Sequence, residues 1–133
     1  MVDEPLSVKE VEKMMAKCAP NEAYYVLDLE GAVLGWGVIK RFGTGSMYQF
    51  AGETSVFLRR SEIRKGYGSQ IKQVLIDECR RLGYHHLVAR VWASNTASIA
   101  YNERFGYDVV GIQREIGFMD GAWRDVALMQ LVL

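Results

Sequence analysis

Residues 53–92 read ETSVFLRRSEIRKGYGSQIKQVLIDECRRLGYHHLVARVW. The stretch opens on a β-rich run through Val56, Phe57 and Leu58, crosses a charged loop, and meets Gly66-Tyr67-Gly68. From there Ile71, Val74, Leu75, Cys79 and Leu82 recur at helical spacing and predict one apolar stripe. Gly83 suits the left-handed residue that closes a helix. Residues 86–92 then form an apolar run of strand length, of the buried kind. Strand, helix and strand in this order predict two parallel neighbours joined by a right-handed crossover. That crossover is the centre of the expected fold.

The flanks extend it. Ser7 with Glu10 predicts a capping box, and Leu6 with Val11 a hydrophobic staple, for a first helix carrying Val11, Met14, Met15 and Cys18 on its apolar face. Pro20 stops that helix. Residues 23–29 and 32–40 read as strands joined at Glu30-Gly31. Residues 42–46 hold two glycines and read as a loop, with a longer strand expected over 47–58. After residue 92, a short helix over 96–104 stops at Gly106. Residues 107–118 and 122–132 form a hairpin about Asp120-Gly121. The whole predicts a mixed α/β domain with a central mixed sheet, one domain over residues 1–133 with one core.

Composition narrows the function classes. Sixteen Lys and Arg balance sixteen Asp and Glu, so no general attraction to nucleic acid or an anionic membrane is expected. No apolar run approaches the roughly 20 residues that a membrane helix needs. The acidic start MVDEPLSVKE has no apolar signal-peptide segment. Cys18 and Cys79 are the two cysteines, and both read as core thiols, which fits a cytoplasmic protein. His85-His86 lacks the accompanying ligands of a metal site, so none is expected.

An anion site must therefore be local, and Arg64, Lys65, Gly66, Tyr67, Gly68 and Ser69 offer one. Glycine lets the backbone approach a ligand, and the free amides and dipole at a helix start favour an anion. Two glycines on their own also make an ordinary tight turn. The third glycine of a dinucleotide-binding GxGxxG and the Gly-Lys-Ser/Thr end of a P-loop are both absent, which disfavours NAD, FAD and ATP.

Taken together, the ordered pieces resemble the GNAT superfamily of N-acetyltransferases, and within it the branch of phosphinothricin and methionine sulfoximine acetyltransferases. The pieces are Glu53-Thr-Ser-Val-Phe-Leu58; RKGYGS at 64–69; Asn95-Thr-Ala-Ser98-Ile99; Glu103-Arg-Phe-Gly106-Tyr107; and Gly117-Phe118 with Gly121-Ala-Trp123-Arg-Asp125. The resemblance is strong over residues 53–133 and weaker over 5–52. It implies acetyl-CoA as cosubstrate, a small-molecule primary amine as acceptor, and a V-shaped splay between the strands ending at Leu58 and near Ala93. It implies that backbone groups of Val56, Phe57 and Leu58 bind the pantetheine arm, that residues 64–69 bind the pyrophosphate, and that Asn95 contacts pantetheine from the other side. Glu53 matches the proposed general base, with a solvated strand carboxylate as the lesser reading. Tyr48, Asn102 and Trp123 are candidates for the acceptor side; Trp123 is also an ordinary strand aromatic.

Three departures stand out. Ile63 occupies a place that usually carries Gln or Arg. Asn102 stands where most relatives have His or Tyr, and an amide cannot protonate a leaving thiolate. Tyr101 and Tyr107 are the substitutes, each read first as core or cleft lining, with Tyr101 facing away on its helix as one reading. Finally, the strand and helix that usually precede the matching segment are not in the sequence. An exposed sheet edge is then expected, and with it a homodimer or another covering partner. Asn102 and the short start also leave open an acyl-CoA-binding module with little catalysis. A protein N-acetyltransferase is the third reading.

Overall fold

The structure, a computed structural model, describes residues 7–17 and 19–133. Helix α1 spans Val8–Ala16. Ser7 Oγ accepts from the Glu10 amide at 3.2 Å and the Ser7 amide donates to Glu10 Oε2 at 2.8 Å, which is the expected capping box. The staple of Leu6 on Val11, the placement of Met14 and the core role of Cys18 lie outside the described residues. Met15, expected on the buried face, is 51% exposed.

Strands β1 (Ala23–Leu29) and β2 (Ala32–Arg41) form an antiparallel hairpin, and β3 (Ala51–Leu58) pairs antiparallel with β2 along its whole length. The expected start of β3 at residue 47 is corrected to Ala51. Ser46–Tyr48 instead make a 3-10 turn after Gly45, whose φ of 79° is a glycine conformation. Helix α2 (Tyr67–Arg81), β4 (His86–Trp92), α3 (Thr96–Arg104) and the hairpin β5 (Asp108–Met119) and β6 (Ala122–Val132) complete the chain. The sheet order is β1-β2-β3-β4-β6-β5. Asp120 and Gly121 take φ of 53° and 72°, the paired positive values of a tight hairpin turn.

Helix α2 packs on β2 and β3 and brings Ile71, Leu75, Ile76 and Cys79 into the core. Leu75 and Cys79 are fully buried, with Ile71 and Ile76 nearly so. A Cβ on Gly37 would come within 2.8 Å of Ile71 and 2.9 Å of Leu75, so the missing side chain is what lets the helix settle on the sheet. The stripe is rotated from the expected one. Val74 is 47% exposed, whereas Lys72 is 6% exposed and faces inward. The helix ends as expected: Gly83 has φ of 91°, and the amides of Tyr84 and Gly83 return to the carbonyls of Cys79 and Arg80. Burial pushes the Cys79 thiol up to about 12, as expected of a core thiol.

One local feature of the pairing positions the site. β3 and β4 are parallel neighbours over three residue pairs only, Ala51 with His86, Gly52 with Leu87 and Glu53 with Val88. Beyond Glu53 each strand stays bound to its outer neighbour, β3 to β2 and β4 to β6. The twist of the two halves then carries the strands apart.

Candidate active site

The divergence of β3 and β4 opens a cleft of about 560 Å³. One wall is residues 53–57 of β3 and the other is residues 89–92 of β4. Asn95, Ser98, Tyr101 and Asn102 close it from α3, and Lys72 comes in from α2. From Thr54 to Leu58, β3 has no strand on its β4 side. Alternate amides and carbonyls there lack sheet partners, so a linear amide-bearing ligand can pair with them as an added strand does. The path that the resemblance implies for pantetheine along Val56, Phe57 and Leu58 fits this edge. Phe57 is further held by stacking on Trp36, with ring centroids 4.3 Å apart.

The start of α2 does not line the cleft but lies next to it, a Cβ on Gly68 falling 3.8 Å from the hydroxyl of the cleft residue Tyr101; its N-cap Gly66 takes φ of 84° and gives no side-chain cap. The first helical amide with an internal partner is that of Gln70, bonded to the Gly66 carbonyl at 3.2 Å. The amides of Tyr67, Gly68 and Ser69 therefore have no partner within the helix. A Cβ on Gly66 would meet nothing within 4 Å, so the approach to these amides is open. Such a terminus suits a pyrophosphate. Arg64, exposed and with φ of 65°, makes no hydrogen bond or ion pair among the described residues, so its charge is available. Lys65 is bound to Glu62 at 3.1 Å and adds less free charge than its sequence position suggests. Ile63 is 48% exposed and adds no donor.

Glu53 sits at the point where the strands separate. Its Oε1 accepts from Arg90 Nη2 at 2.7 Å, while Oε2 is buried without a hydrogen bond. The Arg90 contact orients the carboxylate and leaves one oxygen able to take a proton. Asn95 caps α3: its Oδ1 accepts from the Ser98 amide at 3.1 Å, which leaves its amide nitrogen for the cleft. Asn102 is 5% exposed; its Nδ2 donates to the Ser98 carbonyl at 2.9 Å, and its Oδ1 is buried without a partner. Tyr101 does not face away: it lines the cleft, and its hydroxyl would lie 3.8 Å from a Cβ on Gly68.

Two other candidates lie apart from this cleft. Tyr48 is 44% exposed and packs edge-on to Phe42 at 6.3 Å. Trp123 is 64% exposed, stands edge-on to Phe118 at 5.0 Å, and borders a separate depression with Asp125. Trp92 lines both hollows, so this depression adjoins the cleft at the β4 end. Asp125 Oδ1 accepts from the Glu115 amide at 2.8 Å and holds a bulge in β5 in place.

Sequence reasoning missed Arg90 and Lys72. Lys72 follows a signal that was present, since 72, 76 and 79 fall on one helical face with two apolar partners. Its ammonium lies 4.7 Å from the Tyr107 ring centre and 5.8 Å from those of Tyr101 and Phe105. Burial lowers Lys72 from 10.5 to about 8, a shift that the neighbouring Cys79 sulfur partly opposes. Below about 8, lysine is charged in both folded and unfolded chains, and the folded chain carries the desolvation cost. Between about 8 and 10.5 the unfolded chain binds more protons, so stability rises with pH. Replacing Lys72 by Met is thus expected to stabilise the fold at pH 7, by less than the roughly 3 kcal/mol of the full shift, because the contacts of the ammonium with the three rings are lost. The advantage shrinks as pH rises through that window. Cys79 acts oppositely above 9, so urea midpoints of variant and wild type are compared at each pH. An advantage that does not change between pH 7 and 10 would contradict the desolvated ammonium.

Residues 3–128 match the profile described as an acetyltransferase (GNAT) domain. The L-methionine sulfoximine/L-methionine sulfone acetyltransferase of Pseudomonas paraeruginosa is 34% identical over 106 residues, covering 80% of this chain and 62% of that protein. The phosphinothricin N-acetyltransferase of Alcaligenes faecalis is 32% identical over 123 residues, covering 89% of this chain and 62% of its own. The chain thus spans less than two thirds of the length of these relatives. Among solved structures, a phosphinothricin acetyltransferase of Sinorhizobium meliloti in complex with AcCoA superposes with a TM-score of 0.88 at 30% identity, over 97% of this chain and 71% of that one. A ribosomal-protein-alanine N-acetyltransferase of Brucella melitensis gives 0.89 at 26% identity, over 96% and 80%.

Proposed function

The chain belongs to the GNAT acetyltransferase family, and from that premise we propose that it moves an acetyl group from acetyl-CoA to the primary amine of a small molecule, an amino acid or an analogue of one. The observation that carries this is the cleft that opens at Glu53, with the uncapped start of α2 beside its Tyr101 wall. The names of the relatives, which are enzymes for methionine sulfoximine and phosphinothricin, support the acceptor class.

Acetyl-CoA supplies the acetyl group as a thioester. Residues 64–69 hold its pyrophosphate, the free edge of β3 at Val56, Phe57 and Leu58 holds the pantetheine, and Asn95 donates from the α3 side. Glu53 takes the proton of the attacking amine, directly or through water. An α-amine of pKa near ~8 is neutral about a tenth of the time at pH 7, whereas a lysine-like amine near ~10.4 costs roughly 4–5 kcal/mol to deprotonate. In this reading a backbone amide of residues 56–58 polarises the thioester carbonyl. Trp123, in the hollow adjoining the cleft, borders the acceptor. Tyr48 is further from this path.

Two other readings each have one observation behind them. Asn102, fixed to the Ser98 carbonyl, favours a CoA-binding module with little turnover. The Brucella melitensis neighbour, named for a ribosomal protein, favours a protein acceptor. Calorimetric titration of acetyl-CoA, followed by amino acids, amines and N-terminal peptides with thiol release as readout, separates them. Binding with release for small amines supports the proposal. Binding without release favours the module, release with peptides alone favours a protein acceptor, and no binding overturns all three.

The proposal extends to one acetyltransferase domain over residues 1–133, acting in the cytoplasm as a homodimer. The unpaired, buried Cys79 thiol agrees with a reducing compartment, which cell fractionation tests. Among the described residues β1 is an edge strand, with Val26 66% and Leu29 52% exposed. Such an edge favours pairing with a second copy. Sedimentation equilibrium is expected to give twice the chain mass; a monomer at high concentration would remove the dimer.

A further inference from the structure

We propose that Lys72 is the group that protonates the departing CoA thiolate, a role that rests on the acetyl-transfer reading above. The titratable side chains lining the cleft are Glu53, Lys72, Arg90 and Tyr101. Glu53 and Arg90 are engaged with each other. Asn102 lines the same cleft with no proton to give.

The surroundings of Lys72 suit the role. Its ammonium is held over the rings of Tyr107, Tyr101 and Phe105 and makes no hydrogen bond or ion pair among the described residues. Its three N–H donors are therefore left for a ligand. A purely structural lysine has no need to enter a cleft in place of an apolar residue, because burial without a polar partner is costly. The charged and titratable groups about it are Cys79 on its own helix, Tyr101 of α3, Tyr107 just before β5, and Glu53 and Arg90 across the cleft. Burial holds the Cys79 thiol protonated to about 12 and raises Tyr107 to about 12, with Thr54 beside its hydroxyl. Tyr101 is raised as well, by burial first, which makes both tyrosines poor donors. Lys72, at about 8, lies close to the ~8.5 of a thiol, so transfer between them is nearly balanced.

The step closes in atoms and protons. The amine lone pair forms the C–N bond to the acetyl carbon, the C–S bond breaks, and its electron pair stays on sulfur. The nitrogen gives a proton to Glu53, and sulfur takes one from Lys72 Nζ. Lys72 then regains, through solvent, the proton that Glu53 gained.

The test uses free CoA and acetyl-CoA with wild type, Lys72→Met and Lys72→Arg. Thermal melts check that both variants are folded. The thiol of bound CoA is titrated by its ultraviolet thiolate band. In wild type, bound CoA is expected to hold about tenfold more thiolate at pH 7 than in Lys72→Met. Turnover in Lys72→Met is expected to fall ~10²-fold with the KM for acetyl-CoA changed less than about threefold. The fall of wild-type kcat above pH about 8 should be absent in Lys72→Met and displaced upward in Lys72→Arg. CoA bound with the same thiol titration in wild type and Lys72→Met, or an unchanged kcat and basic limb, overturns the role of Lys72 and leaves acetyl transfer intact. Failure of CoA to bind wild type is a different result and overturns the acetyl-transfer reading together with this one.

Discussion

Glu53→Gln is expected to lower turnover by about 10²–10⁴-fold while acetyl-CoA binding stays within about twofold of wild type. Glu53 forms the last rung between β3 and β4, so its side chain stands where the two strands part. Glutamine keeps the size of the side chain and an oxygen that can accept from Arg90 Nη2, which lies at 2.7 Å in the native pair. What it loses is the capacity to take a proton. The ion pair is partly exposed, so its loss costs about 0–1 kcal/mol of stability at most. Initial rates by thiol release and calorimetry with acetyl-CoA check the two halves separately. Equal, measurable turnover in the variant would remove Glu53 as the base, whereas binding without turnover in both proteins would favour a module that binds without reacting. Loss of binding and turnover together would mean that Glu53 supports the cleft rather than the proton transfer.

Gly68→Asp is expected to weaken CoA about 10²-fold and yet leave the fold as stable as before, or more so. The affected amides are those at the start of α2, which no side chain caps. A carboxylate there competes with the pyrophosphate for the same donors and repels it, and losing one charge-assisted hydrogen bond alone is worth about 1.5–3 kcal/mol. The same charge favours the helix, by about 0.3–1 kcal/mol, because it faces the positive end of the dipole. The new Cβ would find Leu58 Cδ1 at 3.4 Å and the Tyr101 hydroxyl at 3.8 Å, both ordinary contacts. Opposite signs in binding and stability separate this outcome from general misfolding, which lowers both. Acetyl-pantetheine, which lacks the pyrophosphate, should bind wild type and variant alike. An equal loss for acetyl-pantetheine would place the pyrophosphate elsewhere.

The features legible in the sequence are local ones. The Ser7 and Glu10 cap, the left-handed Gly83 and the Asp120-Gly121 turn each depend on a few adjacent residues, and each is found where expected. The strand–helix–strand order from β3 to β4 was legible for the same reason. The start of β3 was not. Met47 and Tyr48 read as the start of the strand, but Gly45 and the bond from the Phe42 amide to the Ala51 carbonyl bend the chain into a 3-10 turn. The bulge in β5 is likewise set from a distance, by Asp125 accepting from the Glu115 amide ten residues away.

The sequence by itself determined the order of elements, the glycine-rich start of α2 and the carboxylate at Glu53, because periodicity, caps and turn residues act over one or two turns of chain. The tertiary structure alone decided that β3 and β4 share only three rungs, that Arg90 orients Glu53, and that Lys72 turns inward onto three aromatic rings. Each of these depends on groups from different elements competing for one space. The outer strands hold β3 and β4 apart more firmly than the two hold each other. The rings from α3 and the segment after it give a lysine a place that its own helix does not reveal.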